Sequence, residues 1–144
     1  MSNNKLKLLT DDLDNKTLST GTGLTIERID GDDSGEVSVA QILVKDREEL
    51  PIYMTVDEGQ ILCITYLWNE REVKPDMRAE LMDVLLTLNV SVPLSAFSKI
   101  GNQYIIYGAL SPESNVNDVL LEIEVLSDNA LEAIETVSEF LNEE

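Results

Sequence analysis

Residues 52–68 of the chain are IYMTVDEGQILCITYLW. Ile52, Met54 and Val56 alternate with more polar residues, and an apolar run resumes after the turn at 57–59. A period of two is typical of a β-strand, and a short glycine-containing turn between two such segments predicts an antiparallel hairpin. Because the second segment is almost entirely apolar, we expect a central strand that is covered on both faces.

Two more hairpins are predicted around this one. Alternating residues from Leu24 are interrupted by Asp30-Gly-Asp-Asp-Ser-Gly35 and resume from Val37 to Val44. A third pair runs from about Phe97 to Leu110 and turns at Gly101-Asn102. Glycine and aspartate clusters between alternating segments are typical of hairpin turns.

Helical periodicity separates these hairpins. Leucines at spacings of three and four predict a short amphipathic helix over 4–14. A stripe from Met77 to Leu88 predicts a second helix, with Pro75 in its first turn and an end near Asn89. Its members are Met77, Leu81, Val84, Leu85 and Leu88.

A third, long helix is predicted over 116–142. Ser114 or Asn115 can cap its free amides. If this helix is interrupted, Ser127-Asp128-Asn129 is the place where we expect the break, because these side chains compete for backbone hydrogen bonds.

The resulting order is α-β-β-β-β-α-β-β-α, which predicts an α+β domain with an antiparallel sheet of five to six strands and helices packed on it. The 144 residues fit a single domain over 1–144, with an N-terminal helix and linker at 1–20 and a core at 21–144.

Charge is sorted along the chain. The net charge is −18, and no Lys or Arg follows Lys99, although ten acids lie between 101 and 144. Such a charge disfavours nucleic acid and anionic membrane surfaces and favours a basic protein partner. The simpler interpretation is that acidity only keeps the domain in solution.

Two features are candidates for contact with a partner. Trp68 ends the apolar run, where an aromatic side chain either closes a core or anchors an interface. Acids at spacings of three and four form a stripe on the last helix, which is either a solvated face or a docking strip. The stripe consists of Glu124, Asp128, Glu132, Glu135 and Glu139.

Catalytic chemistry finds little support. The chain has no histidine, which excludes Ser-His-Asp triads, Cys-His pairs and imidazole metal sites. Cys63 lies in an apolar run without a neighbouring base, so we expect a buried, inert thiol and a reducing compartment. The turn from Asp30 resembles the start of a calcium loop, but its twelfth position is Gln41 instead of glutamate. We therefore expect no cofactor and no metal.

No run of 18 apolar residues exists, and the N-terminal segment lacks an apolar core of signal-peptide length. We therefore expect a cytoplasmic protein.

Several stretches together resemble a known family. These are Leu50–Val56, Leu67-Trp68, Tyr107–Ser111 and Val119–Glu124 followed by Asp128-Asn129. In this order they are similar to the YjfI family of uncharacterised bacterial proteins, domain-of-unknown-function family 2170, over roughly residues 20 to 142. The resemblance implies a cytosolic helper in envelope maintenance with a PspA-like coiled coil as a partner, and it carries over no functional residue.

The order of elements also resembles small acidic type III secretion chaperones, which work as dimers. The stripe from Met77 and the long helix together carry more apolar surface than one sheet covers. For this reason we expect a homodimer. The leading hypothesis is a non-enzymatic adaptor for a protein partner. The alternatives are a carboxylate- or metal-dependent enzyme and an acidic mimic of nucleic acid.

Overall fold

A computed structural model describes residues 2–14, 16–30 and 37–142. The elements follow the predicted order, with short 3₁₀ turns at 70–72, 75–77 and 138–140. They are α1 (Ser2–Leu13), β1 (Leu24–Asp30), β2 (Val37–Val44), β3 (Ile52–Val56), β4 (Ile61–Asn69), α2 (Arg78–Ser91), β5 (Ala96–Ile100), β6 (Gln103–Leu110) and α3 (Val116–Thr136). The calcium-like turn after Asp30 lies at 31–36, outside the described residues.

The six strands form one antiparallel sheet in the order β1-β2-β3-β4-β6-β5. The three predicted hairpins are therefore confirmed, and β4 and β6 join them into one sheet. The α+β class and the predicted strand number are also confirmed. β1 and β5 are the edges. Helix α2 contacts β5, so the second helix and the last hairpin lie at the same end of the sheet.

All three helices pack on one face of the sheet. The main core combines leucines of α1 and apolar residues of α3 with alternate residues of β2, β3, β4 and β6. A smaller second core lies under α2, and every member is apolar or aromatic. It contains Trp68, Val73, Leu81, Leu85, Tyr104, Val137 and Phe140.

The opposite face of the sheet is open, which corrects the expectation that β4 is covered on both sides. Inward residues such as Cys63 are fully buried, whereas Leu62 and Ile64 are half-buried and Tyr66 is exposed. None of these three outward residues belongs to either core. A strand with apolar side chains on an open face has the same continuous apolar sequence as a strand buried between two layers.

A β-bulge interrupts β4 near its end. Tyr66 pairs with Ile105 and Asn69 with Gln103, so the β4 strand has one residue more than β6 in this interval. The bulge lets Leu67 and Trp68 both pack toward the helices.

Helix α3 begins as predicted and ends differently. The Asn115 side chain accepts from the amide of Asp118, and the Asp118 side chain accepts from the amide of Asn115, which completes a capping box. The helix passes through 127–129 without a break and ends at Thr136. The helix is continuous here because those polar side chains bond to other elements instead of to their own backbone.

Helix α2 begins after a 3₁₀ turn that contains Pro75 and continues to Ser91, two residues past the predicted end. Of its 14 residues, only Leu81 and Leu85 are fully buried. A helix with apolar residues all around its circumference is normally enclosed by protein. In α2 one side is left facing outward.

Candidate functional site

The acidic stripe predicted on α3 is divided by the fold into two parts. Glu124 and Asp128 bond to other segments of the chain, whereas Glu132, Glu135 and Glu139 are exposed. Within residues 2–14, 16–30 and 37–142, those three exposed carboxylates form no ion pair. Only the second part is a free acidic surface.

Glu124 anchors the linker that follows α1. The amide of Ser19 donates to Glu124 Oε1 at 3.0 Å, and the Ser19 hydroxyl donates to the same oxygen at 2.7 Å. These bonds favour the ionised form and hold the pKa of Glu124 below its usual value.

Asp128 anchors the loop between β2 and β3. Arg47 Nη1 donates to Asp128 Oδ1 at 2.5 Å and to the Ser127 hydroxyl at 3.2 Å. On the other side of the helix, Asn129 Nδ2 donates to the Pro93 carbonyl at 2.9 Å. The middle of α3 therefore holds the loop between β2 and β3 and the segment after α2 in place.

Trp68 does not lie at the surface. Its side chain is 2% exposed and stacks on Tyr104 with ring centroids 5.6 Å apart. Of the two interpretations of Trp68, this placement favours core closure, because the bulge turns the residue inward. Contact of Trp68 with a partner stays a prediction.

An uncharged surface that the sequence analysis did not single out lies on α2. Leu86 is 71% exposed and Val90 is 93% exposed, and Leu94, beyond the helix end, is 58% exposed. Residues 84–98 contain no charged side chain, although 26% of the whole chain is charged. That charge-free run was the signal in the sequence. The sequence analysis assigned the apolar residues of α2 to the single stripe from Met77 and overlooked this surface, because α2 is apolar on more than one side.

Cavities flank α2 on both sides. A cavity of about 470 Å³ lies between α2 and β5, where Met82 and Leu86 face Phe97 and Lys99. A smaller one of about 140 Å³ lies between the end of α2 and α3, and its lining includes Val92 and Glu132. The exposed acids of α3 thus begin directly beside the apolar surface.

Glu70 neutralises the cations at this end of the sheet. Its carboxylate accepts from Arg78 Nε at 2.8 Å, from Lys99 Nζ at 2.6 Å and from the Tyr104 hydroxyl at 2.9 Å. The bonds from Arg78 and Lys99 lower the pKa of Glu70 to about 2. Glu70 therefore stays ionised at neutral pH and holds both cations beside the second core.

Glu122 is a second carboxylate that sequence reasoning missed. It is 1% exposed, and its Oε2 has no hydrogen-bond partner among the described residues. Burial raises its pKa to about 7. Its signal was its place in the sequence, between Val119 and Leu126 at spacings of three and four on the apolar side of α3.

Gly108 makes room for this carboxylate. A Cβ at Gly108 would lie 1.8 Å from Glu122 Oε2. Cys63, the register partner of Gly108, is fully buried, and burial together with the nearby Glu122 raises the pKa of its thiol. The pair lies inside the main core, so neither group is accessible to a substrate in this conformation.

The described residues contain no group of three or more His, Cys, Asp or Glu side chains that could hold a metal ion. Among the same residues, no helix combines the length and apolar character that crossing a bilayer requires.

Comparison with known proteins places the chain in a family. A family model described as an uncharacterized protein conserved in bacteria (DUF2170) matches residues 4–141. The chain belongs to this family. The match begins at residue 4 and so includes α1, whereas the resemblance seen in the sequence began near residue 20.

Relatives of this DUF2170 protein include the uncharacterized protein YjfI of Escherichia coli strain K12. The two are 33% identical over 104 residues, which cover 69% of this chain and 76% of YjfI. YjfI of E. coli O157:H7 matches with the same identity and coverage.

The structure is similar to that of YbjN from E. coli, a protein provisionally assigned as a transcription regulator. The TM-score is 0.58, the identity is 14%, and the match covers 100% of this chain and 97% of YbjN. This likeness supports the α+β fold with helices on an antiparallel sheet and carries no activity.

Proposed function

We propose that this DUF2170 protein is a non-enzymatic, acidic adaptor that engages a protein partner in the cytoplasm. The observation that supports it is an exposed acidic row beside the uncharged surface of α2. This row is defined here as Glu132 and Glu135 on α3 and Glu139 in the 3₁₀ turn that follows it. An apolar patch bordered by charge of one sign is typical of a protein interface.

The alternative of a carboxylate-dependent enzyme has less support. The two most perturbed carboxylates, Glu122 and Glu70, are respectively sealed in the core and bonded by three donors. Neither one lies free in an open cleft beside a nucleophile, as a general acid or base would.

The partner that we propose is a PspA-like coiled coil, so that the protein acts as a helper in envelope maintenance. A coiled coil presents long helical surfaces with charged flanks, and its basic positions would complement the acidic row. The chaperone-like arrangement of helices on one face of a sheet is compatible with this role.

We also propose a homodimer, now through the open face of the sheet. The Met77 stripe packs into the second core and no longer motivates dimerisation. Of the described outward side chains of the strands, Glu27 is the one acid, and the apolar residues include Leu62, Ile64 and Tyr66. Face-to-face packing of two sheets would place the acidic helices of both copies outside.

The adaptor proposal is tested with a purified PspA-like protein from the same bacterium. We expect binding at about 0.1 M salt that weakens at about 1 M, where the Debye length falls from about 10 to about 3 Å. Replacing the acidic row by glutamine should weaken binding. Replacing Glu48, Glu49 and Glu58, which are exposed elsewhere, is the control with equal change in net charge.

Two results would count against the adaptor proposal. One is binding that ignores both salt and the acidic row. The other is equal weakening by the control set, which would mean that only net charge matters. Sedimentation tests the dimer: a species at the chain mass of 16.0 kDa at micromolar concentration would contradict it.

A further inference from the structure

The outer side of α2 carries the two most exposed large apolar side chains among the described residues. Leu86 and Val90 lie four residues apart and so share one helix face, with exposures of 71% and 93%. Single exposed apolar residues need no explanation, but Leu86 also lines the cavity of about 470 Å³ between α2 and β5, so the row and the cavity together form an apolar groove. We define this row and the cavity as the α2 groove.

Charge around the α2 groove is negative on one flank. Asp83 lies three residues before Leu86 and is exposed. On the other flank Lys99 is the cation that lines the groove, and its ammonium group is held by Glu70 at 2.6 Å.

This charge distribution argues against a second copy as the occupant. Two α2 grooves meeting each other would bring the acidic flanks together, and the cations near the groove, Arg78 and Lys99, are already bonded to Glu70. Like charges at an interface cost free energy, whereas opposite charges steer and orient a partner.

We propose that the α2 groove binds an amphipathic helix with a basic flank, supplied by the protein partner. The apolar side of that helix would lie on Leu86 and Val90, with one side chain entering the cavity lined by Met82 and Phe97. Its Lys or Arg side chains would face Asp83. The inference rests on the proposed adaptor function and adds the chemical class of the partner and the groove that it occupies.

A synthetic helix tests the inference directly. The probe is a fluorescein-labelled peptide of 18 residues built from Leu, Ala and Lys, with leucines at i, i+3, i+4 and i+7 and lysines on the flanks. Two matched peptides accompany it, one with scrambled order and one with glutamates in place of the lysines. We expect the basic amphipathic probe to bind at least about tenfold more tightly than either match.

Variants locate the site. Replacing both Leu86→Ser and Val90→Ser should weaken binding of the probe about tenfold or more, because the apolar anchors of the groove are lost. Leu8→Ser on α1 is the matched control, since Leu8 is 66% exposed and lies away from α2. Circular dichroism checks that all variants are folded, which is expected because the replaced side chains are exposed.

Three results would overturn the inference. The scrambled peptide binds as well as the probe, the double variant binds the probe as tightly as the parent, or sedimentation shows a dimer that the double variant dissociates. The last result assigns the groove to a second copy. If the PspA-like protein depends on the acidic row but not on Leu86 and Val90, the adaptor proposal survives and this inference fails.

Discussion

Glu122 and Glu70 each lie where a helix meets the sheet, but their surroundings are opposite. Glu122 is enclosed by the main core, where its Oε2 accepts no hydrogen bond from the described part of the chain, whereas Glu70 accepts from Arg78, Lys99 and Tyr104 beside the second core. The main core is therefore held by apolar burial and includes one acid that is favoured in its neutral form. The α2 end is held by fewer apolar contacts and by an acid that must be charged.

This difference suggests a division of labour between the two regions. The main core joins α1, α3 and four strands and fixes the shape of the domain. The α2 end buries two residues of its helix fully and leaves its outer side free. The predictions below test the two regions against each other, beginning with the largest expected effect.

Truncation of the main core should cost far more than truncation on α2. Leu126→Ala removes a fully buried side chain and should lower the free energy of unfolding by about 2–5 kcal/mol. Leu86→Ala, at an exposed position, should change it by less than about 0.5 kcal/mol. Urea denaturation measures both. Similar losses for the two variants would mean that α2 is packed as tightly as α3.

Glu122 should make the main core weaker as pH rises. Its folded pKa of about 7 exceeds the ordinary value of 4.5, so between these values the folded protein binds one proton more than the unfolded chain. Its stabilising contribution is complete below about pH 4.5, falls through this window and levels off above about pH 7, a difference of about 3 kcal/mol. Glu122→Gln should flatten the profile measured by urea denaturation at each pH. An unchanged profile would show that Glu122 does not titrate there.

Glu70 should have the opposite dependence on pH. Its pKa is lowered to about 2, so its contribution is present above about pH 4.5 and is lost as pH falls from there toward 2. Glu70→Gln should destabilise the protein at neutral pH by about 1–3 kcal/mol, because a charge-assisted network is broken. Amide hydrogen exchange should show the loss of protection mainly in α2 and β5.

The control for Glu70 is Glu80→Gln, which removes an exposed carboxylate from α2 itself. Equal destabilisation by the two variants would mean that the charge of this end matters and not the Glu70 network.

The smallest effect is expected on the acidic row. Glu132 and Glu135 are three residues apart on α3, and Glu139 follows in the 3₁₀ turn, so like charges lie close together. Replacing all three by glutamine should stabilise the protein by a few tenths of a kcal/mol per pair, and the gain should shrink in salt. Thermal unfolding at two salt concentrations measures it. The control set at Glu48, Glu49 and Glu58 should give less, since only its first two members are adjacent in sequence.

Most of the fold could be predicted because its signals are local. Alternation identified the three hairpins, and the cap at Asn115 marked the start of α3. The open face of β4 and the bulge could not be predicted. The sequence does not distinguish an apolar residue on the open face of a sheet from one that faces the core. A bulge is defined by the pairing of two strands, and this pairing cannot be read from one strand alone.

The candidate site was harder to predict because its partners are distant in sequence. Glu124 bonds to a residue 105 positions away, and Asp128 to one 81 positions away. No residue close to Glu124 or Asp128 in the sequence indicates that their carboxylates would bond to another segment. The five acids of the predicted stripe therefore could not be told apart from the sequence. The same reason explains the unbroken helix at 127–129, where side chains that could disrupt a helix are taken by remote groups.

The bulge in β4 has a consequence for the spacing of the chain. Before it, odd positions such as Cys63 and Thr65 point toward the helices, and after it the even position Trp68 does. If strict alternation continued through this segment without the bulge, Leu67 would face the helices and the indole of Trp68 would face water. The extra residue therefore places two consecutive side chains on the helix side, and a substitution that straightens the strand would expose the tryptophan without touching it.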